Sequence, residues 1–374
     1  MKKFIIVAVI ALICSSALAQ TQTIYKFTPI KDINVTSVKN QARTGTCWCF
    51  ATISFLEAEL IRMGKGEYDL SEMYVVRQNY YKRINDNYLR LGKGNIGPGS
   101  IAHMAINVLK ENGLVPEEVY RGINYNSETH NHTELGAYLK GIADVSVALK
   151  VKSPQYYKLI DNLFDTYLGI VPEEFTYNGK KYTPKTFANS LGLVPEDYIE
   201  LTSFSHHPFY QQVPLEIRDN WDNQLLYNVP LDDMMAIIDN ALENGYTVAW
   251  DGDLISGSFN HNRGVAINPE PKDKEEAVKL NKIYPEMVVT QENRQHDFET
   301  FNTVDDHLMH LTGIYKDQNG TKFYKTKNSW GTGRNEEMKG YLYMSKSYIQ
   351  MRTISFMVHK NAIPKAIREK LNIK

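Results

Sequence analysis

The chain has 374 residues, 42 Lys and Arg against 43 Asp and Glu, a net charge of −1, 43% hydrophobic residues, 23 Gly, 14 Pro and only 3 Cys. This excludes a disordered chain, which carries fewer apolar residues or more net charge, and a collagen-like or low-complexity one, which carries far more Gly and Pro. It also excludes a disulfide scaffold, and with no basic excess no nucleic-acid partner is expected.

Met1-Lys2-Lys3, the apolar run Phe4 to Ile13 and Ala17-Leu18-Ala19 read as the three parts of a secretory signal peptide over residues 1–19. The apolar run is too short for a bilayer, which needs about 20 residues, so no membrane anchor is expected. The expected location is outside a bacterial cytoplasm, periplasmic or secreted. Cleavage removes Cys14 and leaves Cys47 and Cys49. If both lie in a helix they point about 200° apart and form no disulfide with each other. Either one is kept for chemistry or both are buried and inert.

Along the mature chain, Cys47 to Met63 has helical apolar spacing and a stop at Gly64. Ser71 to Tyr88 reads as a Tyr-rich helix and residues 92–99 as a Gly-rich loop. Ser100 reads as the cap of a helix running to Lys110. Residues of about 120–230 are polar and Pro-punctuated. Asp232 to Glu243 reads as a helix, Tyr246 to Trp250 as a strand, and residues 270–280 as a charged surface stretch. Leu308 to Tyr315 and Lys322 to Lys327 flank the turn Lys316-Asp317-Gln318-Asn319-Gly320, which predicts a hairpin. Helices first and strands later predict an α+β fold, without internal repeats.

Two motifs carry chemistry. In Gln41-Ala42-Arg43-Thr44-Gly45-Thr46-Cys47-Trp48-Cys49, a thiol at a helix N-terminus gains positive potential that favours the thiolate. Gly45 permits a tight turn and close approach of a substrate. The Gln41 side chain and the Cys47 N–H form a candidate oxyanion hole. The second motif is Asp306-His307-Leu308-Met309-His310, followed across the hairpin by Asn328-Ser329-Trp330-Gly331. A Cys nucleophile needs a base, which His307 supplies, and that base needs an orienting group, which the Asn328 carbonyl supplies. Trp330 is expected to shield their hydrogen bond. His310, three residues on in a strand, points to the opposite face and reads as structural.

These motifs resemble the papain-like cysteine peptidases. The resemblance implies a two-lobed α+β fold, a helical lobe plus a β-barrel-like lobe, over residues 20–374. It implies Cys47 as nucleophile, His307 as base, Asn328 as its orienter and Gln41 in the oxyanion hole. Trp48, Gly99 and Trp330 are implied to bind substrate. Gly-Thr-Cys-Trp-Cys-Phe-Ala, with Thr44 where disulfide-bonded members carry another cysteine, is similar to the bleomycin hydrolase or aminopeptidase C branch. So are the His307-x-Met309-x-Leu311-Thr312-Gly313 run and the end from Val358. The separation of 260 residues between Cys47 and His307 exceeds the family's ~130–150. The excess matches residues 120–230, read as a helical insertion of the kind that branch carries.

Cys47 lies so near the expected mature N-terminus that no papain-type inhibitory propeptide is expected there, unless the insertion takes that role. The stretch after Asn328 is shorter than the C-terminal arm that sets exopeptidase behaviour in that branch. The implied function is hydrolysis of peptide or protein substrates through an acyl-enzyme, as an aminopeptidase C-like exopeptidase. An endopeptidase of the same fold and a catalytically silent peptide-binding homologue are the alternatives, and a homo-oligomer stays open. Gly92-x-Gly94-x-x-Gly97 follows a helix, so no dinucleotide site is expected. His130, His132, His206 and His207 lack metal-ligand spacing and read as surface histidines, so neither a metal nor another cofactor is expected. Iodoacetamide labelling with mass mapping is expected to mark Cys47 well ahead of Cys49; equal labelling would contradict the nucleophile assignment.

Overall fold

The computed structural model describes residues 23–254 and 258–374. The segment 1–19, read as a signal peptide, lies outside the described residues.

Helix α1 (Cys47–Arg62) is buried from Trp48 through Leu60. A helix with little polar surface belongs inside the core. The stop at Gly64 follows the expected chemistry. Gly64 sits at φ +72, its N–H reaches the Ile61 carbonyl at 3.0 Å, and Lys65 N–H reaches the Leu60 carbonyl at 2.9 Å. That pair of bonds closes a helix end through a left-handed residue. Helix α2 (Glu72–Leu89) starts at Ser71, whose hydroxyl accepts the Tyr74 N–H at 3.1 Å.

Helix α3 (His103–Glu111) corrects the cap expected from Ser100. The Ser100 hydroxyl is buried without a partner among the described residues. The Glu200 carboxylate accepts the Ala102 and His103 N–H groups at 3.0 and 3.3 Å instead, and also contacts His103 Nδ1 at 2.7 Å. A cap from so far along the chain is invisible to local pattern.

The stretch 120–230 is helical in its first part, with α4 (Thr133–Leu149), α5 (Pro154–Leu168) and α6 (Pro184–Leu191) around the small hairpin β2 (Phe175–Tyr177) and β3 (Lys180–Tyr182). Its last part supplies strands β4 (Tyr198–Thr202), β5 (Gln211–Pro214) and β6 (Leu225–Asn228) to the main sheet. Helix α7 (Leu231–Glu243) follows, then strands β7 (Val248–Gly252), β8 (Phe259–Asn260) and β9 (Val265–Ala266). The single turn α8 (Lys274–Ala277) precedes α9 (Gln291–Glu299). The expected hairpin is β10 (His307–Lys316) and β11 (Lys322–Lys327); β12 (Tyr341–Ser345), α10 (Lys346–Arg352), β13 (Thr353–His359) and α11 (Lys365–Lys370) complete the chain.

One 11-stranded sheet runs β5-β6-β4-β13-β7-β10-β11-β12-β9-β8, with the first strand β1 (Thr28–Asp32) pairing with β10. Pairing is antiparallel except for β4 with β6 and β12 with β9. One core joins α1 to α6; a second lies between the sheet and α7, α10 and α11. Because α1 packs against β10 and β7, the first residue of α1 and the first residue of β10 come from opposite sides of one seam.

Arg294 on α9 fastens the segment leading into β10. It is fully buried and donates to the carbonyls of Ser203 at 2.9 Å, Gln350 at 2.9 Å, Met351 at 3.2 Å and Thr353. No carboxylate pairs with it among the described residues, and burial brings its pKa down to about 9. Arg294→Leu strands these acceptors at about 1–3 kcal/mol each. It is expected to cost roughly 3 kcal/mol or more in urea unfolding; a loss under about 1 kcal/mol would contradict the pinning role.

Candidate active site

Cys47 is the first residue of α1 and is half-buried. Gly45 enters the helix at φ +62, and a Cβ there would lie 2.7 Å from Pro98 Cγ, so backbone and packing both require glycine. Thr46, the residue before the helix, spends its hydroxyl on Thr44 at 2.6 Å and caps nothing. No side chain caps the first turn among the described residues; the Cys49 N–H turns back to the Thr46 carbonyl at 3.0 Å, while the Cys47 N–H, at the first helical position, has no acceptor in the preceding turn. Cys49 is fully buried and its thiol donates to the Glu72 carbonyl at 3.3 Å. Burial pushes that thiol well up and makes it inert.

His307 opens β10 and Asn328 follows the last residue of β11, so the hairpin brings them side by side. His307 Nε2 lies 2.8 Å from Asn328 Oδ1, both residues being buried. Ser329 N–H donates to the same Oδ1 at 2.7 Å. A backbone N–H can only donate, so the oxygen of the amide is identified and His307 carries its proton on Nε2. The lone pair of neutral His307 is then on Nδ1.

Ser329 ties in Gln41. Its hydroxyl donates to Gln41 Oε1 at 2.6 Å, and Gln41 N–H donates to the Ser329 carbonyl at 2.8 Å. With Oε1 occupied, the Gln41 Nε2 hydrogens are the ones left to donate elsewhere. Trp330 leans on the His307 ring, with centroids 4.9 Å apart, and pairs in register with Asn40. His310 lies on the other face of β10, its Nδ1 2.9 Å from Ser54 Oγ on α1.

Sequence reasoning missed His261, just past β8. Its Nδ1 lies 3.2 Å from Asn328 Nδ2 and its ring is edge-on to Trp330 at 5.0 Å. It belongs to no motif, and only the fold brings it to Asn328.

The electrostatics differ from the expected thiolate. Burial pushes the Cys47 thiol up to about 12; a hydrogen bond from the Leu308 backbone opposes this, and the carboxylates Asp251, Asp305 and Asp219 add to it. Burial lowers the pKa of His307, against the Asn328 bond and the Asp306 charge. Both shifts favour the neutral thiol and the neutral imidazole. Asp305 is raised to about 7, first by burial and next by Asp219, and it shares a side-chain hydrogen bond with Asp251, whose own pKa burial and Asp305 raise far more.

A cavity of about 850 Å³ opens beside Gly45, lined by Pro98, Gly99, Asp219 and Asp305 among others. Gly99 is part of this wall, and a Cβ there would collide with the Asp219 carboxylate. Trp48 corrects an expectation: it is fully buried and its indole N–H donates to the Pro98 carbonyl at 2.9 Å, so it holds the wall and offers no surface to a substrate. Trp330 lines a second, polar cavity of about 500 Å³ with Asn40, Arg43 and Arg334.

Of the histidines read as surface residues, His206 is exposed, His130 and His207 are half-buried, and His132 is buried. His132 is 5% exposed, with Nδ1 3.0 Å from Tyr80 Oη. His206 and His207 reach Glu216 at 3.0 and 2.7 Å, a set of groups with the composition of a metal site. The Gln295 amide decides against it. Its Oε1 accepts the Ser205 N–H at 2.6 Å, so its Nε2 donates to His206 Nδ1 at 2.9 Å and to Glu299 at 2.8 Å. His206 then keeps its proton on Nε2 and donates it to Glu216, leaving that atom no lone pair for a metal.

A family model described as "Peptidase C1-like family" matches residues 97–374, and one described as "Papain family cysteine protease" matches residues 26–162. Aminopeptidase E of Lactobacillus helveticus is 25% identical over 371 residues, covering 88% of this chain and 82% of that one. Aminopeptidase C of Streptococcus thermophilus is 21% identical over 382 residues, covering 88% and 82%. The mitochondrial cysteine proteinase 1 of Saccharomyces cerevisiae (strain JAY291) is 21% identical over 396 residues, covering 92% and 79%. The crystal structure of pepw from Lactobacillus rhamnosis HN001 superposes with a TM-score of 0.72 at 18% identity, over 96% of this chain and 86% of that one, which establishes a shared fold. The chain belongs to the Peptidase C1-like family, has the papain-like α+β fold, and is a cysteine-type peptidase.

Ser329→Ala removes the donor that anchors Gln41 Oε1. Peptide hydrolysis is expected to fall about tenfold, the net worth of one hydrogen bond, with little change in melting temperature. Unchanged turnover would show that the Gln41 amide needs no such anchor.

Proposed function

We propose that this member of the Peptidase C1-like family removes residues from free peptide N-termini through an acyl-enzyme on Cys47. The observation that carries the reading is the pair Asn328-Ser329, which orients His307 with one side chain and Gln41 with the next. Cys47 Sγ attacks the scissile carbonyl carbon as the thiol proton passes to His307 Nδ1. The developing oxyanion is met by the Cys47 N–H and Gln41 Nε2. Collapse breaks the C–N bond, and the leaving amine takes the proton from His307. Water then adds to the thioester, giving its proton to His307, and the thiol leaves with that proton as the acid is released.

The relatives' names, aminopeptidases C, E and G, favour exopeptidase action. So does the charge of the cavity beside Gly45, where Glu216, Asp219, Glu299 and Asp305 face one guanidinium, Arg218. A wall of that sign suits a substrate's α-ammonium. An ammonium there also offsets Asp219 and Asp305, which add to burial in keeping the Cys47 thiol protonated, so binding and nucleophile activation support each other. Endopeptidase action is the second reading, favoured by the open extent of the same cavity. Residues 1–19 support export from a bacterial cytoplasm.

Matched fluorogenic peptides with free and acetylated N-termini test the reading. The free peptide is expected to be cut at least tenfold faster in kcat/KM, Asp219→Asn to shrink that preference several-fold, and Cys47→Ala to cut neither. Equal cleavage of both peptides would support the endopeptidase; residual cleavage by Cys47→Ala at the wild-type rate would overturn both.

A further inference from the structure

We propose that His261 is a positioning residue for the peptidase reaction: its Nδ1 accepts a hydrogen bond from Asn328 Nδ2 and so holds the Asn328 amide with its oxygen on His307. The proposal rests on the catalytic roles of Cys47 and His307 given above.

An Asn side chain is nearly symmetric in shape, and a half-turn about its last bond exchanges oxygen for nitrogen. The two orientations have opposite consequences for His307. With Oδ1 toward it, Nε2 is protonated and Nδ1 is free to take the thiol proton. With Nδ2 toward it, Nε2 must accept, the proton moves to Nδ1, and the ring is no longer a base at that atom. Two contacts oppose the half-turn. Ser329 N–H donates to Oδ1 at 2.7 Å, and His261 Nδ1, at 3.2 Å from Nδ2, accepts one of the two amide hydrogens. Without His261, that buried N–H group of Asn328 loses this acceptor.

The backbone of His261 is held independently of its ring. Its carbonyl accepts from Asn335 Nδ2 at 2.7 Å and from Gly264 N–H at 3.0 Å. The ring is 6% exposed and lies under the same indole of Trp330 that covers His307. To accept at Nδ1 the neutral ring must carry its proton on Nε2, and that buried atom has no partner among the described residues. Leaving a buried donor unmatched costs free energy, and the cost goes with the one atom placement that serves Asn328. Burial, His307 and Arg334 together keep His261 neutral, with a pKa lowered to about 4.

Three variants separate the role of the acceptor from that of the packing. In His261→Asn the side-chain oxygen overlays Nδ1 and keeps an acceptor. His261→Leu has the same branching without one, and His261→Gln carries its polar atoms one bond too far. With a free-N-terminus peptide, the Leu and Gln variants are expected to lose about tenfold in kcat at unchanged KM, and the Asn variant to keep most of it. In an Asn328→Ala background, His261→Leu is expected to add no further loss, because the two act through one contact. Wild-type kcat in the folded Leu or Gln variant, an Asn variant as slow as they are, or an undiminished loss in the Asn328→Ala background would each overturn the proposal. Cys47→Ala in the same assay separates the two levels. If it is inactive while His261→Leu is normal, only the positioning role fails; if it still cleaves, the catalytic reading fails with it.

Discussion

The site depends on where β11 stops. At its end two consecutive side chains are handed to two partners, the Asn328 amide to His307 and the Ser329 hydroxyl to Gln41. The next residue, Trp330, covers the first contact and pairs with Asn40, next to Gln41 in the chain. The base, the oxyanion donor and the shield are therefore placed by one short run of backbone. That backbone is fixed in turn by the β10–β11 register and by the packing of α1 on β10. A one-residue slip of the hairpin would send Asn328 to the other face of the sheet and disconnect all three.

The second constraint is electrostatic. Enclosing a thiol and an imidazole disfavours their charged forms, and the carboxylates Asp219, Asp251 and Asp305 add to this at Cys47. A site of neutral groups is suited to concerted proton transfer once a substrate is seated. Of these carboxylates, Asp219 and Asp305 line the cavity beside Gly45, where the proposed α-ammonium of a substrate would offset their charge.

Much of this was legible in the sequence, because it is local. The helix from Cys47 and its Gly64 stop, the hairpin around Asp317 to Gly320, and the opposite orientations of His307 and His310 all follow from period and turn chemistry. What was not legible depends on long-range contacts. Glu200 displaced Ser100 as the cap of α3 because a buried carboxylate from β4 meets two free N–H groups at once. Trp48 sits beside Cys47 in the chain but turns inward, since successive helical residues diverge by about 100°. Strands β4 to β6 lie in a stretch whose Pro and Tyr content carried no clear period. His261 reaches Asn328 from another strand's end and has no neighbour in sequence to announce it.

The central claim is that peptide cleavage passes through a thioester on Cys47 held by this arrangement. The direct measurement is acid quenching of the enzyme during turnover of a slowly deacylated ester, followed by peptide mass mapping. The account predicts an acyl mass on the peptide containing Cys47, localised to that residue by fragmentation and absent from Cys47→Ala. An acyl group on Cys49, or turnover without any acylated cysteine at saturating ester, would contradict it.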